Sequence, residues 1–65
     1  MAPRAAGRWL LRQRLELART LLETTSLPMD AVAARSGLGS AASLRRHFRD
    51  VLGTSPRRHR DQFSA

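Results

Sequence analysis

The sequence predicts an all-α fold: a small bundle of about four helices that contains one helix-turn-helix. Three observations carry the prediction. Apolar residues recur at three- and four-residue intervals along most of the chain, the period of a helix buried on one side, and no segment reads convincingly as a strand. Leu, Ala, Arg, Gln and Glu, all strong helix formers, dominate the stretch from Arg8 to Thr24. Proline and glycine then punctuate the rest at Pro28, Gly37, Gly53 and Pro56, residue types suited to starting and stopping helices.

Met1 to Gly7 reads as a frayed lead-in, because Pro3 and Gly7 oppose helix there. A first helix is expected over 8–25. Leu11, Leu15, Ala18 and Leu22 form one apolar stripe on it, and Leu10, Leu17 and Leu21 form a second stripe beside the first. Arg12, Gln13, Glu16, Arg19, Thr20 and Glu23 fill the polar arc, with Arg12–Glu16 and Arg19–Glu23 spaced as i,i+4 pairs. The apolar arc spans nearly half the helix, where a surface helix of a tiny domain needs one stripe. Two readings of that breadth stand: a central helix touching several neighbours in one core, or a helix lying between two units. A membrane-surface helix is a third reading, opposed by the mixture of acidic and basic residues on the polar arc.

Residues 28–52 read as the helix-turn-helix. Pro28 suits a first helical position, where its missing N–H costs nothing. Asp30 places negative charge in the first turn, where the helix dipole favours it, and Val32 and Ala33 supply a small apolar contact. Gly37 can take the left-handed conformation that closes the helix. Ser40 can then cap a second helix, over about 40–52, by accepting a backbone N–H. At roughly 100° per residue, Leu44, Phe48, Val51 and Leu52 share one face of this helix. Ala42, Ser43, Arg46 and Arg49 project from the other, with Asp50 beside them and Arg45 at the border. Small residues at the helix start permit close approach to a surface. Arginine further along can reach phosphates or donate two hydrogen bonds to guanine O6 and N7, which is what a helix entering the major groove of DNA requires.

A last short helix is expected over 55–64, with Gly53 closing the one before it, Ser55 as N-cap and Pro56 as first helical residue. Arg57, Arg58 and Arg60 crowd it, and Phe63 can return to the core. The crowding fits either a solvated basic tail or a helix start that meets a phosphate.

Composition bounds the function. With 65 residues the chain is one small domain, of a size that buries only ~60% of its unfolded surface. Its 12 Lys+Arg against 5 Asp+Glu give a net charge of +7, and all the basic residues are arginine. Arginine suits bidentate recognition of phosphate or guanine, although a GC-rich genome also favours its codons. The net charge itself points to a polyanionic partner, with nucleic acid the first candidate. Absence of cysteine excludes disulfides and thiolate metal sites. No apolar run approaches the ~18 residues of a membrane span, and the N-terminus lacks a signal core, so a cytoplasmic protein is expected.

The residues Arg14-Leu15, Ala18, Leu21-Leu22, Val32-Ala33, Gly37, Ser40, Leu44, Phe48-Arg49, Gly53, Ser55-Pro56, Arg60 and Phe63 together resemble the C-terminal DNA-binding region of AraC/XylS-type transcription regulators. The stretch Gly37 to Arg49 is most similar to members that carry an amidotransferase-like sensor domain. The resemblance covers nearly the whole chain from about Trp9. It implies a homeodomain-like three-helical core and a single partial domain over 1–65: the linker helix and the second of two helix-turn-helix units, with the first unit and the sensor domain missing. The second leucine stripe is then the face that a full domain would cover. Two positions depart from the family: Leu38 stands where an aromatic residue is usual and His59 where Tyr is usual, and both imply looser packing.

The resemblance also distributes roles. Ala41, Ala42, Ser43 and Arg46 match the base-reading positions, with Arg46 the guanine reader and alanine able to touch a thymine methyl. Ser40, Arg45, Arg49, Arg57, Arg58 and Arg60 are placed for phosphates. Apart from the resemblance, a stripe of Leu10, Leu17 and Leu21 left in water forfeits burial, so these residues are expected to form a self-association surface and a homodimer through the first helix. Double-stranded DNA is the expected partner, so the protein would sit on the bacterial nucleoid when bound, with no cofactor and no membrane. Catalysis finds little support, because His47 and His59 have no metal-ligand spacing to other His, Cys or carboxylates; His47 reads as a packing residue and His59 as a substitute for a packing aromatic. The leading expectation is sequence-specific DNA binding by a bacterial transcription regulator. The alternative is an interaction fragment that works through the leucine stripe.

Overall fold

The computed structural model describes residues 3–63, with side chains from Gly7 onward. Four helices follow one another: α1 (Pro3–Thr24), α2 (Met29–Ser36), α3 (Ala41–Leu52) and α4 (Pro56–Phe63). The fold is the expected small all-α bundle. Its core is Leu15, Ala18 and Leu22 from α1, Val32 and Ala33 from α2, Leu38 from the turn, and Leu44 and Phe48 from α3.

α1 begins earlier than its sequence suggests. It starts at Pro3 and runs through Gly7, where a lead-in was expected, while Met1 and Ala2 lie outside the described residues. Proline is tolerated in the first turn of a helix. One glycine costs about 1 kcal/mol in a helix, less than the strong helix formers around it can offset. The expected leucine stripes behave differently from each other. Leu15 and Leu22 are buried, with Leu11 half-buried beside them, whereas Leu10 and Leu17 are 42% and 45% exposed. Leu21 leaves the second stripe: it is half-buried and packs against the core. Arg19 bonds Glu16 at 3.0 Å and stands 4.0 Å from Glu23, and among the described residues Arg12 makes no ion pair.

The end of α1 is closed by side chains. Thr24 Oγ1 donates to the Thr20 carbonyl at 2.7 Å and Thr25 Oγ1 to the Leu21 carbonyl at 2.6 Å. Both are second bonds, since the Leu21 carbonyl also accepts the Thr25 N–H at 3.0 Å; the Leu22 carbonyl, which the helix end leaves free, accepts Arg60 Nε at 3.3 Å.

The turn between α2 and α3 is set by local chemistry. Pro28 precedes α2 in an extended conformation, one position outside the helix, and its carbonyl accepts the Val32 N–H at 3.0 Å. Gly37 is left-handed (φ 81°). The Leu38 N–H then reaches back to the Ala33 carbonyl at 2.9 Å and the Gly37 N–H to Ala34 at 3.3 Å, the double bond of a Schellman closure. This closure turns Leu38 inward, where it is only 8% exposed. Leucine therefore fills its core position, against the expectation of looser packing.

Ser40 Oγ caps α3 by accepting the Ser43 N–H at 3.1 Å, and Gly53 (φ 73°) closes its other end. Leu44 and Phe48 are fully buried, but Val51 is 40% exposed. Val51 sits where the end of α3 runs beside Arg12 of α1, while the next residue, Leu52, packs against the core. Ser55 Oγ caps α4 by accepting the Arg58 N–H at 3.1 Å. Phe63 does not return to the core: it is 53% exposed and lies over His59 with ring centroids 4.8 Å apart.

Candidate nucleic-acid interface

The site is the outer face of α3 and the start of α4. Burial of Leu44 and Phe48 fixes the rotation of α3, so the residues between them face outward. Ala42, Arg45, Arg46 and Arg49 are exposed, and Ala41 and Ser43 are half-buried at the helix start. Ser40 is exposed and its hydroxyl is engaged with the Ser43 N–H. Ala42, Arg45, Arg46, Arg49 and Asp50 line one side of a shallow concavity of about 410 Å³, and Ser55 closes it. A second concavity, about 490 Å³, carries this surface on to the starts of α2 and α4: Arg45 faces Pro28, Met29, Ser55 and Arg57 across it.

Electrostatics follow from what these arginines lack. Among the described residues, Arg45, Arg46, Arg49, Arg57 and Arg58 make no ion pair or side-chain hydrogen bond. Each guanidinium keeps its donors available for an anion or a base edge. Asp50 is the acid on this face of α3 and works against a bound phosphate. It stands i,i+4 from Arg46, yet the two make no ion pair.

The structure brings together most of the residues singled out from sequence. Ala42 and Arg46 share the exposed side of α3 with Arg45 and Arg49, Ala41 and Ser43 are half-buried at its start, and Arg57 lies across the groove from Arg45. Arg58 is exposed on α4. Arg60 is placed differently. Its Nε is spent on the Leu22 carbonyl, and one of its terminal nitrogens is buried without a partner, so it serves the contact between α4 and α1 while also lining the concavity with Arg45 and Arg57. Leu10 and Leu17 lie on α1, away from this face, and line none of it.

Sequence reasoning missed one polar contact. His59, 7% exposed, is bonded through Nε2 to Glu23 Oε2 at 2.7 Å, and its ring meets the edge of Phe48 at 5.5 Å. It fills an aromatic position, as expected, and also holds a carboxylate. Thirty-six residues separate the partners, so no local pattern announces the pair. Among the described residues there is no cluster of three or more His, Cys, Asp or Glu that could hold a metal ion. No described helix is long and apolar enough to cross a membrane.

A short helix, a glycine-closed turn, and a capped second helix with a buried face and an arginine face define a helix-turn-helix protein. The family model described as "Helix-turn-helix domain" matches residues 4–62, and the chain belongs to this AraC-type helix-turn-helix family. It is 43% identical over 60 residues to the HTH-type transcriptional regulator Rv1931c of Mycobacterium tuberculosis, an alignment that covers 92% of this chain and 23% of that protein. The chain thus spans about a quarter of the length of this relative. No solved structure matches it.

Proposed function

We propose that this chain is the DNA-reading part of a bacterial transcription regulator, binding duplex DNA sequence-specifically with α3 in the major groove. The observation that carries the reading is the division of α3: one face locked into the core by Leu44 and Phe48, the other presenting unpaired arginines behind a start of small residues. Arg46 reads guanine through O6 and N7. Ala41, Ala42 and Ser43 let the helix start approach the base edges, where an alanine methyl can meet a thymine methyl. Ser40, Arg45, Arg49, Arg57 and Arg58 hold phosphates on either side and set register without carrying sequence information. Arg60 contributes charge there but is anchored to α1. The protein acts by binding, needs no cofactor, and when bound is part of the nucleoid. Similarity around Gly37 to Arg49 favours a parent protein with a first helix-turn-helix unit and an amidotransferase-like sensor domain.

A second reading draws on the exposure of Leu10 and Leu17: α1 is a self-association surface, and a homodimer sets the spacing of two reading helices. It adds to the first reading unless DNA binding proves indifferent to sequence.

Competition binding tests the proposal. A duplex selected from a random pool should outcompete random duplex at fixed salt, and affinity should fall steeply as salt rises, because each neutralised phosphate releases counterion. Anionic vesicles should compete poorly. Affinity that is flat with salt, or vesicles that compete as well as DNA, would remove the groove-reading account.

A further inference from the structure

We propose that Glu23 is a positioning residue for DNA binding: by holding His59 it latches the basic start of α4 beside α3. The inference rests on the reading of α3 and α4 as a DNA interface.

α4 has little apolar material with which to dock. Of its eight residues only Pro56 and His59 are buried, and Phe63 is largely exposed. A helix this short is not stable by itself, so its place depends on tertiary contacts. Those contacts fall on the end of α1. His59 Nε2 meets Glu23 Oε2 at 2.7 Å, and the next residue, Arg60, donates to the carbonyl of Leu22 at 3.3 Å. Two consecutive residues of α4 thus grip two consecutive residues of α1. The His59 ring is held between Phe48 and Phe63, which fixes the direction in which Nε2 points. Glu23 is only 29% exposed at its side chain, and its other neighbour, Arg19, stands 4.0 Å away.

What the latch positions is the opposite side of α4. Ser55 and Arg57 line the groove with Arg45 of α3, and Arg58 is exposed one position further on. If α4 slides or frays, these groups leave the recognition helix and their phosphates are lost.

The latch and simple electrostatics predict opposite signs. Glu23 is a negative charge on a protein that binds a polyanion, so removing it should tighten binding through the overall field. If Glu23 positions α4, removing it weakens binding instead. The test is Glu23→Ala, which keeps α1 intact because alanine is the best helix former. It should lower affinity several-fold. It should also make the dependence of log affinity on log salt shallower by about one to two, since each lost phosphate contributes roughly 0.9. Glu23→Gln, whose amide oxygen can still accept from the ring, should bind at least as well as the wild type. Glu16→Ala removes an exposed charge of α1 that, among the described residues, pairs with Arg19 alone, and should not weaken binding. In the free chain, Glu23→Ala should speed hydrogen exchange at the His59 amide, which is bonded to the Ser55 carbonyl at 2.9 Å.

Tighter or unchanged binding by Glu23→Ala with an unaltered salt slope overturns the latch, as does equal weakening by Glu23→Gln. Unchanged exchange at His59 overturns it as well, even with DNA left out. A wild-type chain that binds no duplex at low salt instead sinks the functional reading, and the latch's role with it.

Discussion

At the scale of the residue, arginines of one face need not do one job. Arg46 projects from the exposed arc of α3 near the small residues of the helix start, while Arg58 stands on α4. A base contact discriminates among sequences and a phosphate contact does not. Arg46→Ala should therefore cost roughly 1–3 kcal/mol on the preferred duplex and relax the preference at one position. Arg58→Ala should weaken preferred and random duplexes alike and reduce the salt slope by about 1. Titrating both variants against both duplexes at two salt concentrations separates the cases. Equal losses on the two duplexes for Arg46→Ala would reassign it to the phosphate group. Residues of this kind were legible in the sequence because helical angle alone sorts α3 into a core face and a basic face. His59 was legible as an aromatic substitute but not as a partner of Glu23, since that pairing is made only when α4 folds back on α1. The bond of Arg60 to α1 was illegible for the same reason: its charge suggests a phosphate, and only the tertiary fold brings its Nε to the Leu22 carbonyl.

At the scale of the element, caps and closures were legible because they are local. Ser40, Gly37, Gly53 and Ser55 each act within five residues of themselves. The start of α1 was not, because it depends on a sum of small terms. Pro3 and Gly7 each oppose a helix interior, yet Pro3 is in the first turn, where proline is harmless. Gly7 then stands alone against good helix formers. Its conformation is helical and nothing lies within 4 Å of where a Cβ would be. Gly7→Ala should accordingly stabilise α1 by about 0.5–1 kcal/mol, raising both the helical circular dichroism signal and the midpoint of chemical unfolding. If residues before Arg8 were instead a frayed lead-in, the substitution would change neither. Two apolar residues, Val51 and Phe63, lie outside the core for different reasons. Val51 borders Arg8, Leu11 and Arg12 of α1 while Leu52, the next residue, packs against the core, and Phe63 is the last residue of α4, with only His59 beneath its ring.

At the scale of the whole molecule, shape says what the core does not cover. The structure measures 44 × 21 × 18 Å, and a helix of 22 residues accounts for ~33 Å of the long axis. The core draws on α1 only from Leu15 onward, and Gly7 to Leu10 are exposed, with Arg8 beside the end of α3. A compact chain of 7.3 kDa exposes about 4,200 Å², whereas this one exposes 4734 Å². The sequence pointed to this uncovered face through its double leucine stripe, but it overstated the stripe by one residue, since Leu21 packs on the core. Leu10 and Leu17 remain, seven positions apart on one side of the helix and each more than two-fifths exposed. Covering such side chains gains roughly 1.5–3 kcal/mol apiece for complete burial, so nearly half of that is open to each leucine here. A second copy supplies an identical stripe, and a two-fold pairing of α1 brings each Leu10 against the partner's α1 while leaving both copies of α3 uncovered. The expected outcome is a weak, concentration-dependent homodimer. Sedimentation at high micromolar concentration should show mass rising above that of one chain. Leu10→Gln with Leu17→Gln should restore the monomer without loss of helical signal, because neither side chain belongs to the core cluster. A wild-type chain that stays monomeric at that concentration would show that this stripe does not pair with itself, and the two-fold spacing of reading helices would lose its physical basis.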